Sequence, residues 1–83
     1  MTIYRKVKRV PDGDTLELHR RISGSKFIRI AGLNAPELYQ FGGLAARAKL
    51  KRQVQDKVVT LQPVGRSYGR VVAHVRHKRR LIR

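Results

Sequence analysis

The chain has 83 residues, enough for one domain with one small core and too few for a second folded unit. It contains 20 Lys and Arg against five Asp and Glu, which gives a formal charge of +15 at pH 7. An excess this large predicts a polyanionic partner, DNA or RNA. A membrane surface is disfavoured because the sequence has no long amphipathic helix with bulky apolar residues.

Cysteine is absent, which excludes disulfides and thiolate metal sites. No apolar run approaches the roughly 18 residues of a membrane-spanning helix. The N-terminus is basic but lacks the apolar region of a signal peptide, so we expect a cytoplasmic protein unless the chain is a processed form. A monomer is the default expectation, because no feature of the sequence predicts an oligomer.

Residues 3–19 predict a hairpin of two strands. The first strand spans residues 3–10, and the second spans residues 15–19, where Leu16 and Leu18 alternate with polar residues and face inward. Between the two strands, PDGD is typical of a tight turn, because proline presets φ and Asp-Gly suits a hairpin connection.

A third strand is predicted over residues 27–33, after a loop over residues 20–26. Ile28 and Ile30 point to one side of this strand, and Arg29 points to the other. The strand therefore has one buried face and carries a cation on its open face. Three strands in succession with short connections make a meander.

The second half of the chain predicts one helix and two strands. Residues 44–56 contain no Gly or Pro and repeat an apolar residue at every fourth position, which predicts a helix of about three turns. Residues 57–61 predict a fourth strand that is stopped by Pro63, and residues 64–69 predict a loop. Residues 70–77 alternate again and predict a fifth strand.

Five strands with one helix between the third and the fourth are the layout of an OB-type barrel. The expected fold class is therefore mainly β with one helix, a β+α arrangement in which five strands form the barrel. We expect a single domain over residues 1–83, in which residues 78–83 form a basic tail.

Three of the few acidic residues lie in predicted turns: Asp12, Asp14 and Glu37. Carboxylates repel phosphate, so their presence in so basic a chain indicates a cation between carboxylate and phosphate. Asp14, Asn34 and backbone carbonyls are hard oxygen donors that suit calcium or magnesium. The residues alone leave a second interpretation open, since Asp-Gly-Asp-Thr and Asn-Ala-Pro-Glu are also ordinary turn sequences.

Three segments resemble the staphylococcal nuclease-like (thermonuclease) family and follow the family's order. They are VPDGDTLEL at residues 10–18, IRIAGLNAPE at residues 28–37 and SYGRVVAHV at residues 67–75. An Ala-rich helix after a glycine separates the last two segments, as in the family, and the match covers nearly the whole chain. The resemblance implies an OB-type barrel lacking the family's C-terminal helices, which agrees with the predicted strands.

The resemblance also implies a nuclease that hydrolyses phosphodiester bonds of DNA or RNA, preferably single-stranded, with little sequence preference. Its implied cofactor is calcium or another divalent cation. The implied catalytic residues are Arg29, Glu37 and Arg70; the implied metal ligands are Asp14, Asn34 and the backbone carbonyl of Ala35; the implied nucleic-acid contacts are Tyr68 and Arg66. In these roles the arginines stabilise charge on the phosphoryl oxygens, and Glu37 orients or deprotonates the attacking water.

The chain departs from the family at several positions. Asn34 stands where the best-known members have a second aspartate, so we expect weaker metal binding because an amide brings no charge. Arg66 and Ser67 precede the tyrosine, where an acidic and then a basic residue are common. Two further interpretations stay open: a non-catalytic OB module that binds nucleic acid, which Asn34 favours, and a basic assembly protein whose charge only docks it on RNA, which explains the charge of +15 but not the placement of the acidic residues.

Overall fold

The computed structural model describes residues 2–83. Its elements, in chain order, are β1 (Ile3–Asp12), β2 (Thr15–Ile22), β3 (Ser25–Ile30), α1 (Gly43–Val54), β4 (Val58–Ser67), β5 (Arg70–His77) and β6 (Arg80–Leu81). Over this described range, no helix combines the length and the apolar character needed to cross a membrane.

The strands β1 to β5 close into a barrel. Antiparallel pairing joins β3 to β2, β2 to β1, β1 to β4 and β4 to β5. The circle is completed by parallel pairing of β3 with β5, in which Arg29 lies opposite Val72. The predicted fold class is confirmed: the protein is mainly β with one helix, and its five-stranded closed barrel is OB-like.

The core is built from the inward residues of every barrel strand and from one face of α1. Leu16 and Leu18 on β2, and Ile28 and Ile30 on β3, are fully buried as predicted. The other large side chains that are fully buried are Val7, Val10, Leu50, Val54, Val59, Leu61, Val71 and Val75. Burying each such side chain stabilises the fold by about 1.5–3 kcal/mol relative to exposure, which offsets the conformational entropy of a short chain.

The connection between β2 and β3 is tighter than the sequence predicted. The expected loop over residues 20–26 is wrong, because β2 continues to Ile22 and β3 begins at Ser25. Only Ser23 and Gly24 lie between them, with φ angles of 47° and 80°. Two successive positive φ values are those of a type I′ turn, whose twist matches that of the flanking strands.

Pro63 does not end β4, contrary to the prediction. The strand continues to Ser67, so the expected loop over residues 64–69 is reduced to a turn at Tyr68 and Gly69, with φ angles of 50° and 77°. The pairing with β5 shifts register between Pro63 and Gly65, which is a bulge. Val64 is the residue left without a partner, and Pro63 stands next to it, at the kind of irregularity where strands tolerate proline.

Residues 78–83, predicted as a basic tail, form a turn and a short strand that packs on the barrel. Lys78 and Arg79 form a third turn with two positive φ values, 51° and 69°, and β6 then pairs with the end of β5. The backbone N–H of Ile82 donates to the Val75 carbonyl at 2.8 Å, and the Ile82 side chain is only 4% exposed. The cations of this segment face solvent, while Ile82 closes one edge of the core.

We expect Ile82→Ala to lower the free energy of unfolding by about 2–5 kcal/mol, because truncating a buried aliphatic side chain leaves a cavity. Arg83→Ala is the matched control, since Arg83 is exposed and its loss is expected to change stability by less than about 0.5 kcal/mol. Urea unfolding of both variants measures the difference. Equal stability of the two variants would show that this segment does not dock on the core in solution.

Candidate active site

Two carboxylates lie side by side where β1 meets β2: Asp12 is the last residue of β1, and Asp14 lies in the turn, which is shorter than the predicted PDGD turn and contains only residues 13 and 14. Asp12 Oδ1 accepts a hydrogen bond from the backbone N–H of Asp14 at 3.1 Å. Asp14 Oδ1 accepts a second one from the Thr15 hydroxyl, also at 3.1 Å. Short side chains that bond to nearby backbone are what make this sequence turn here. The same bonds fix the direction of both carboxylates, which are half-buried.

Burial raises the pKa of Asp14 above its ordinary value, and the hydrogen bond and negative charge of Asp12 raise it further. For Asp12, burial also acts to raise the pKa, but hydrogen bonds from the side chain and backbone of Asp14 and from Thr15 outweigh it. Together with the positive charge of Arg70, these bonds lower the pKa of Asp12. The pair thus concentrates negative charge that a proton on Asp14, or a bound cation, would offset.

The end of β3 brings an arginine and an amide to the same turn. Arg29 lies opposite Thr15 in the pairing of β3 with β2, and its Nη2 is 3.6 Å from Asp14 Oδ2. That separation is an ion pair without a hydrogen bond. The same Nη2 donates to Asn34 Oδ1 at 2.6 Å. Arg29 therefore links the carboxylate of Asp14 to the amide of Asn34.

The third strand ends earlier than predicted, and this shortening positions Asn34. Residues 31–33 were expected in β3, but the strand ends at Ile30 and the chain turns, with the Leu33 N–H donating to the Ile30 carbonyl at 3.3 Å. Gly32 has a φ of 79°, which favours glycine. The turn returns the chain toward Arg29, so that the side chain of Asn34 reaches the guanidinium group.

Arg70 joins the site from β5. Its Nη1 donates to the Thr15 hydroxyl at 3.1 Å, and that hydroxyl in turn donates to Asp14. Thr15 is only 3% exposed, so the bridge is shielded from water. The contacts therefore run without a break from Arg70 through Thr15 and Asp14 to Arg29.

Gly13 fixes the distance between this turn and the segments around it. It is buried, and a Cβ at this position would lie 2.6 Å from the Cβ of Ala35 and 2.7 Å from the Cβ of Ala46. The turn, the segment after β3 and α1 thus meet at one point where only glycine fits. The close approach also lets the Ala35 N–H donate to Asp14 Oδ2 at 3.4 Å. It is the N–H of Ala35 that faces Asp14, and the role of its carbonyl as a ligand stays a prediction.

Glu37 lies in the exposed segment between Ala35 and α1. Its N–H donates to Gln40 Oε1 at 2.8 Å, and its carbonyl accepts from the Gln40 N–H at 2.9 Å. Gly43 packs against the same carbonyl so closely that no Cβ fits there. Within residues 2–83 the carboxylate itself makes no hydrogen bond or ion pair. The backbone is held, and the carboxylate is free, with its Cα at most about 7 Å from that of Ala35.

Tyr68 and Arg66, the predicted nucleic-acid contacts, lie on and beside the turn between β4 and β5. The Tyr68 side chain is 96% exposed at this turn. The Ser25 hydroxyl stabilises the turn by donating a hydrogen bond to the Gly69 carbonyl at 3.1 Å. The Arg66 guanidinium donates to the Ser23 carbonyl. Neither side chain forms a hydrogen bond with the residues around Asp14, but Arg70, which does, is the first residue after this turn.

Sequence reasoning missed the roles of Thr15 and Asp12. Thr15 alternates with the inward Leu16, so the sequence indicates that its side chain faces outward with Arg29. Its partner Arg70 is 55 residues away, however, and only the closed barrel brings the two together. Asp12 was recognised as a turn residue, but its proximity to the Asp14 carboxylate depends on the geometry of that turn.

The oxygen donors at this site suit a hard cation. Among residues 2–83 no three His, Cys, Asp or Glu side chains form a metal-binding group. The donors are instead the carboxylates of Asp12 and Asp14 together with neutral oxygens such as that of Asn34. Calcium binds to sets of ligands that mix charged and neutral oxygens, because side-chain amides and backbone carbonyls coordinate it in addition to carboxylates. Burial and the neighbouring Asp12 raise the pKa of Asp14, because both disfavour its negative charge.

Comparison with known proteins does not assign the chain to a family. No protein-family model matches it, and no curated protein matches it. The contacts around Asp14 and the three segments that resemble the nuclease family are therefore the observations from which a function can be proposed.

We expect Gly13→Ala to lower the free energy of unfolding by about 1–3 kcal/mol, because the added methyl group overpacks the contact with Ala35 and Ala46. Gly65→Ala is the matched control, since nothing lies within 4 Å of a Cβ at that position. Thermal unfolding of both variants measures the difference. If both substitutions lower the free energy of unfolding equally, the close packing around Gly13 is not what positions this site.

Proposed function

We propose that this protein is a metal-dependent nuclease that hydrolyses phosphodiester bonds of DNA or RNA, preferably in single strands, with little sequence preference. The observation that carries this proposal is the unbroken set of contacts from Arg70 through Thr15 and Asp14 to Arg29. With Asp12 beside Asp14, it combines two guanidinium groups with two carboxylates in a basic protein. Those are the groups that hold a phosphate and a cation together.

Calcium is the proposed cofactor, held by Asp14, Asn34 and the Ala35 carbonyl, with Asp12 as a further carboxylate beside them. When bound, the cation polarises a phosphoryl oxygen and offsets its charge. Asn34 Oδ1 already accepts from Arg29 at 2.6 Å, so Asn34 must share this oxygen or turn away from Arg29 to serve as a ligand. The amide also brings no charge, and both features lead us to expect modest calcium affinity.

Arg29 and Arg70 are proposed to hold the phosphate and to stabilise its developing charge. Arg29 lies opposite Val72 in the parallel pairing, and Arg70 is the preceding outward residue on β5, so both face the same side of the barrel. Arg29 is oriented by hydrogen bonds from both of its Nη atoms, to the Ile30 carbonyl and to Asn34, and Arg70 is oriented by one hydrogen bond to Thr15. The remaining donors of each planar fork are left for phosphate oxygens, a geometry that lysine does not offer.

Glu37 is proposed to orient or deprotonate the attacking water. Its carboxylate is exposed and unpaired within the described residues, while its backbone is held by Gln40 and Gly43. A free carboxylate on a held backbone suits a general base. Tyr68, exposed on the turn that leads to Arg70, is proposed to stack on a base, which tolerates any sequence. Arg66 is proposed as a phosphate contact near it.

A second candidate function is a non-catalytic OB module that binds nucleic acid. It is favoured by the position of Glu37, whose carboxylate lies outside the contacts that join the other site residues. Binding without cutting would then use the same arginines. The two functions differ in whether calcium and Glu37 matter, and this difference defines the test.

We expect cleavage of single-stranded DNA and RNA in calcium and none in chelator. Glu37→Gln should lower turnover by about 100-fold or more, because general-base catalysis contributes at least that much. Its binding of an oligonucleotide in chelator should stay within about twofold of the native protein. Asp56→Asn is the matched control, since it removes the same charge at an exposed residue outside the site.

Either of two results would contradict the nuclease. Equal losses of binding and turnover in Glu37→Gln would assign Glu37 to binding or folding. Binding without cutting at every calcium concentration would establish the OB module instead.

We expect Asn34→Asp to lower the calcium concentration needed for activity by about tenfold, because calcium affinity follows the number of charged ligands. The same variant should raise the melting temperature more steeply with calcium than the native protein does, which measures binding independently of cleavage. An unchanged calcium dependence in both measurements would show that residue 34 is not a ligand.

A further inference from the structure

A second basic surface lies on β1, β4 and β5, centred on β4, which does not pair with β3 or β2. It forms an open groove with a volume of about 660 Å³. We call it the basic groove and define it by Tyr4, Lys57, Val58, Arg76, Lys78 and Arg79. The candidate active site lies on β2, β3 and the start of β5 at Arg70, whereas the basic groove reaches the other end of β5 at Arg76, so the two surfaces are about 20 Å apart along this strand.

The strand register explains the shape of the basic groove. Tyr4 lies opposite Thr60, and Thr60 lies opposite Arg76, so one row crosses three strands. With paired strands about 4.8 Å apart, the backbones of Tyr4 and Arg76 are separated by about 10 Å. Tyr4 is 63% exposed and Val58 is 55% exposed. The floor is therefore partly apolar, and cations stand at its rim.

The charge of the basic groove is uncompensated. Four of its lining residues are Lys or Arg, and no carboxylate lines it. Within residues 2–83 the ion pairs are Arg9 with Glu17 and Arg29 with Asp14, and neither involves this groove. Partial burial, and after it the charges of Lys57 and Lys78, lower the pKa of His77, which also lines the groove. A neighbouring depression shares Lys57 and His77 and extends the same positive surface to Arg80.

The turn at Lys78 and Arg79 carries cations where the backbone disfavours them. Both residues have positive φ, a conformation that glycine and asparagine adopt more easily. The other two turns of this kind, at Ser23-Gly24 and Tyr68-Gly69, have glycine at the second position. If only folding mattered, glycine would be favoured at position 79 as well. The two cations at this turn therefore point to a ligand rather than to a structural need.

Nucleic acid is the ligand that fits these observations best. An open groove with cations at its rim suits an extended polyanion better than a free phosphate, which needs a closed cradle of donors. Tyr4 and Val58 offer an apolar floor for a base or a sugar, and tyrosine stacks on any base. An anionic membrane fits less well, because a sheet face with few exposed apolar side chains has little to insert into lipid.

We propose that the basic groove is a second nucleic-acid-binding surface, which holds the sugar–phosphate backbone of a single strand apart from the candidate active site. This inference goes beyond the proposed nuclease and does not require it. If the protein is a nuclease, the groove holds one part of a long nucleic-acid strand while another part of that strand is cut at the candidate active site. In a non-catalytic module, the groove adds to the binding surface.

The test removes charge from the groove without weakening the fold. Lys78→Asn combined with Arg79→Gly removes two cations and supplies the residues that a type I′ turn favours. Lys51→Gln combined with Arg52→Gln is the matched control, because both residues are exposed on α1 and the same charge is lost. Thermal unfolding first establishes that both variants fold. Binding of a labelled oligodeoxythymidylate of about 20 nucleotides is then measured by anisotropy in chelator, so that nothing is cut.

We expect the groove variant to bind up to about 25-fold more weakly at about 0.1 M salt, since each phosphate contact on a single strand contributes about fivefold there. The slope of log K against log salt should fall in magnitude by about 1.4, while the control keeps most of the affinity and slope. Tyr4→Ala should weaken binding by about fivefold or more at an unchanged slope, because it removes stacking and no charge.

Equal losses of oligonucleotide affinity in the groove variant and the control would overturn the proposal, because the lower net charge would then explain both losses. An unchanged affinity in the groove variant would also overturn it. Binding to phosphatidylserine vesicles that depends on these residues, without such dependence for the oligonucleotide, would assign the groove to membranes. Because binding is measured in chelator, failure of the groove and failure of the nuclease are separate results.

Discussion

The parallel pairing of β3 with β5 is the constraint on which both the barrel and the candidate active site depend. These strands are distant in the chain, so bringing them together orders the long segment between them and costs loop-closure entropy. Burial of Ile28 and Val71, which lie opposite each other in this pairing, helps to offset that cost. The outward residues of both strands then share one surface, where Arg29 and Arg70 meet the turn at Asp14. Closing the barrel and assembling the two arginines are therefore the same event.

The barrel was predictable from the sequence because the alternation of apolar and polar residues indicates which side of each strand is buried. Leu16 and Leu18 are the simplest case, since their polar neighbours leave one register that keeps both inside. The connections were harder, because Ser23-Gly24 forms a tight turn here but also occurs in longer loops. Pro63 was misleading for a related reason. Proline usually ends a strand, and the bulge that admits it depends on the partner strand rather than on local sequence.

The candidate site was predictable where its residues are close in sequence and not where barrel closure joins them. Arg29 and Asn34 fall in one predicted segment, and the structure links them by a hydrogen bond. The bridge from Arg70 through Thr15 is different, because a buried threonine in a strand gives no sign that its hydroxyl serves a residue on another strand. The role of Gly13 was equally hidden in the sequence. A glycine there predicted only a turn, whereas the structure shows that the side chains of Ala35 and Ala46 leave no room for a Cβ.

The charge distribution would couple the proposed nucleic-acid binding to folding in this chain. A formal charge of +15 with two ion pairs among residues 2–83 repels itself in the folded state, where the cations are held closer than in the unfolded chain. Cations at positive φ in the turn of Lys78 and Arg79 add backbone strain. A polyanion bound as proposed, at the candidate active site or in the basic groove, would relieve the repulsion, and it would bind only where the folded strands hold the cations together. By linkage, such a ligand stabilises the barrel that positions its own binding surface.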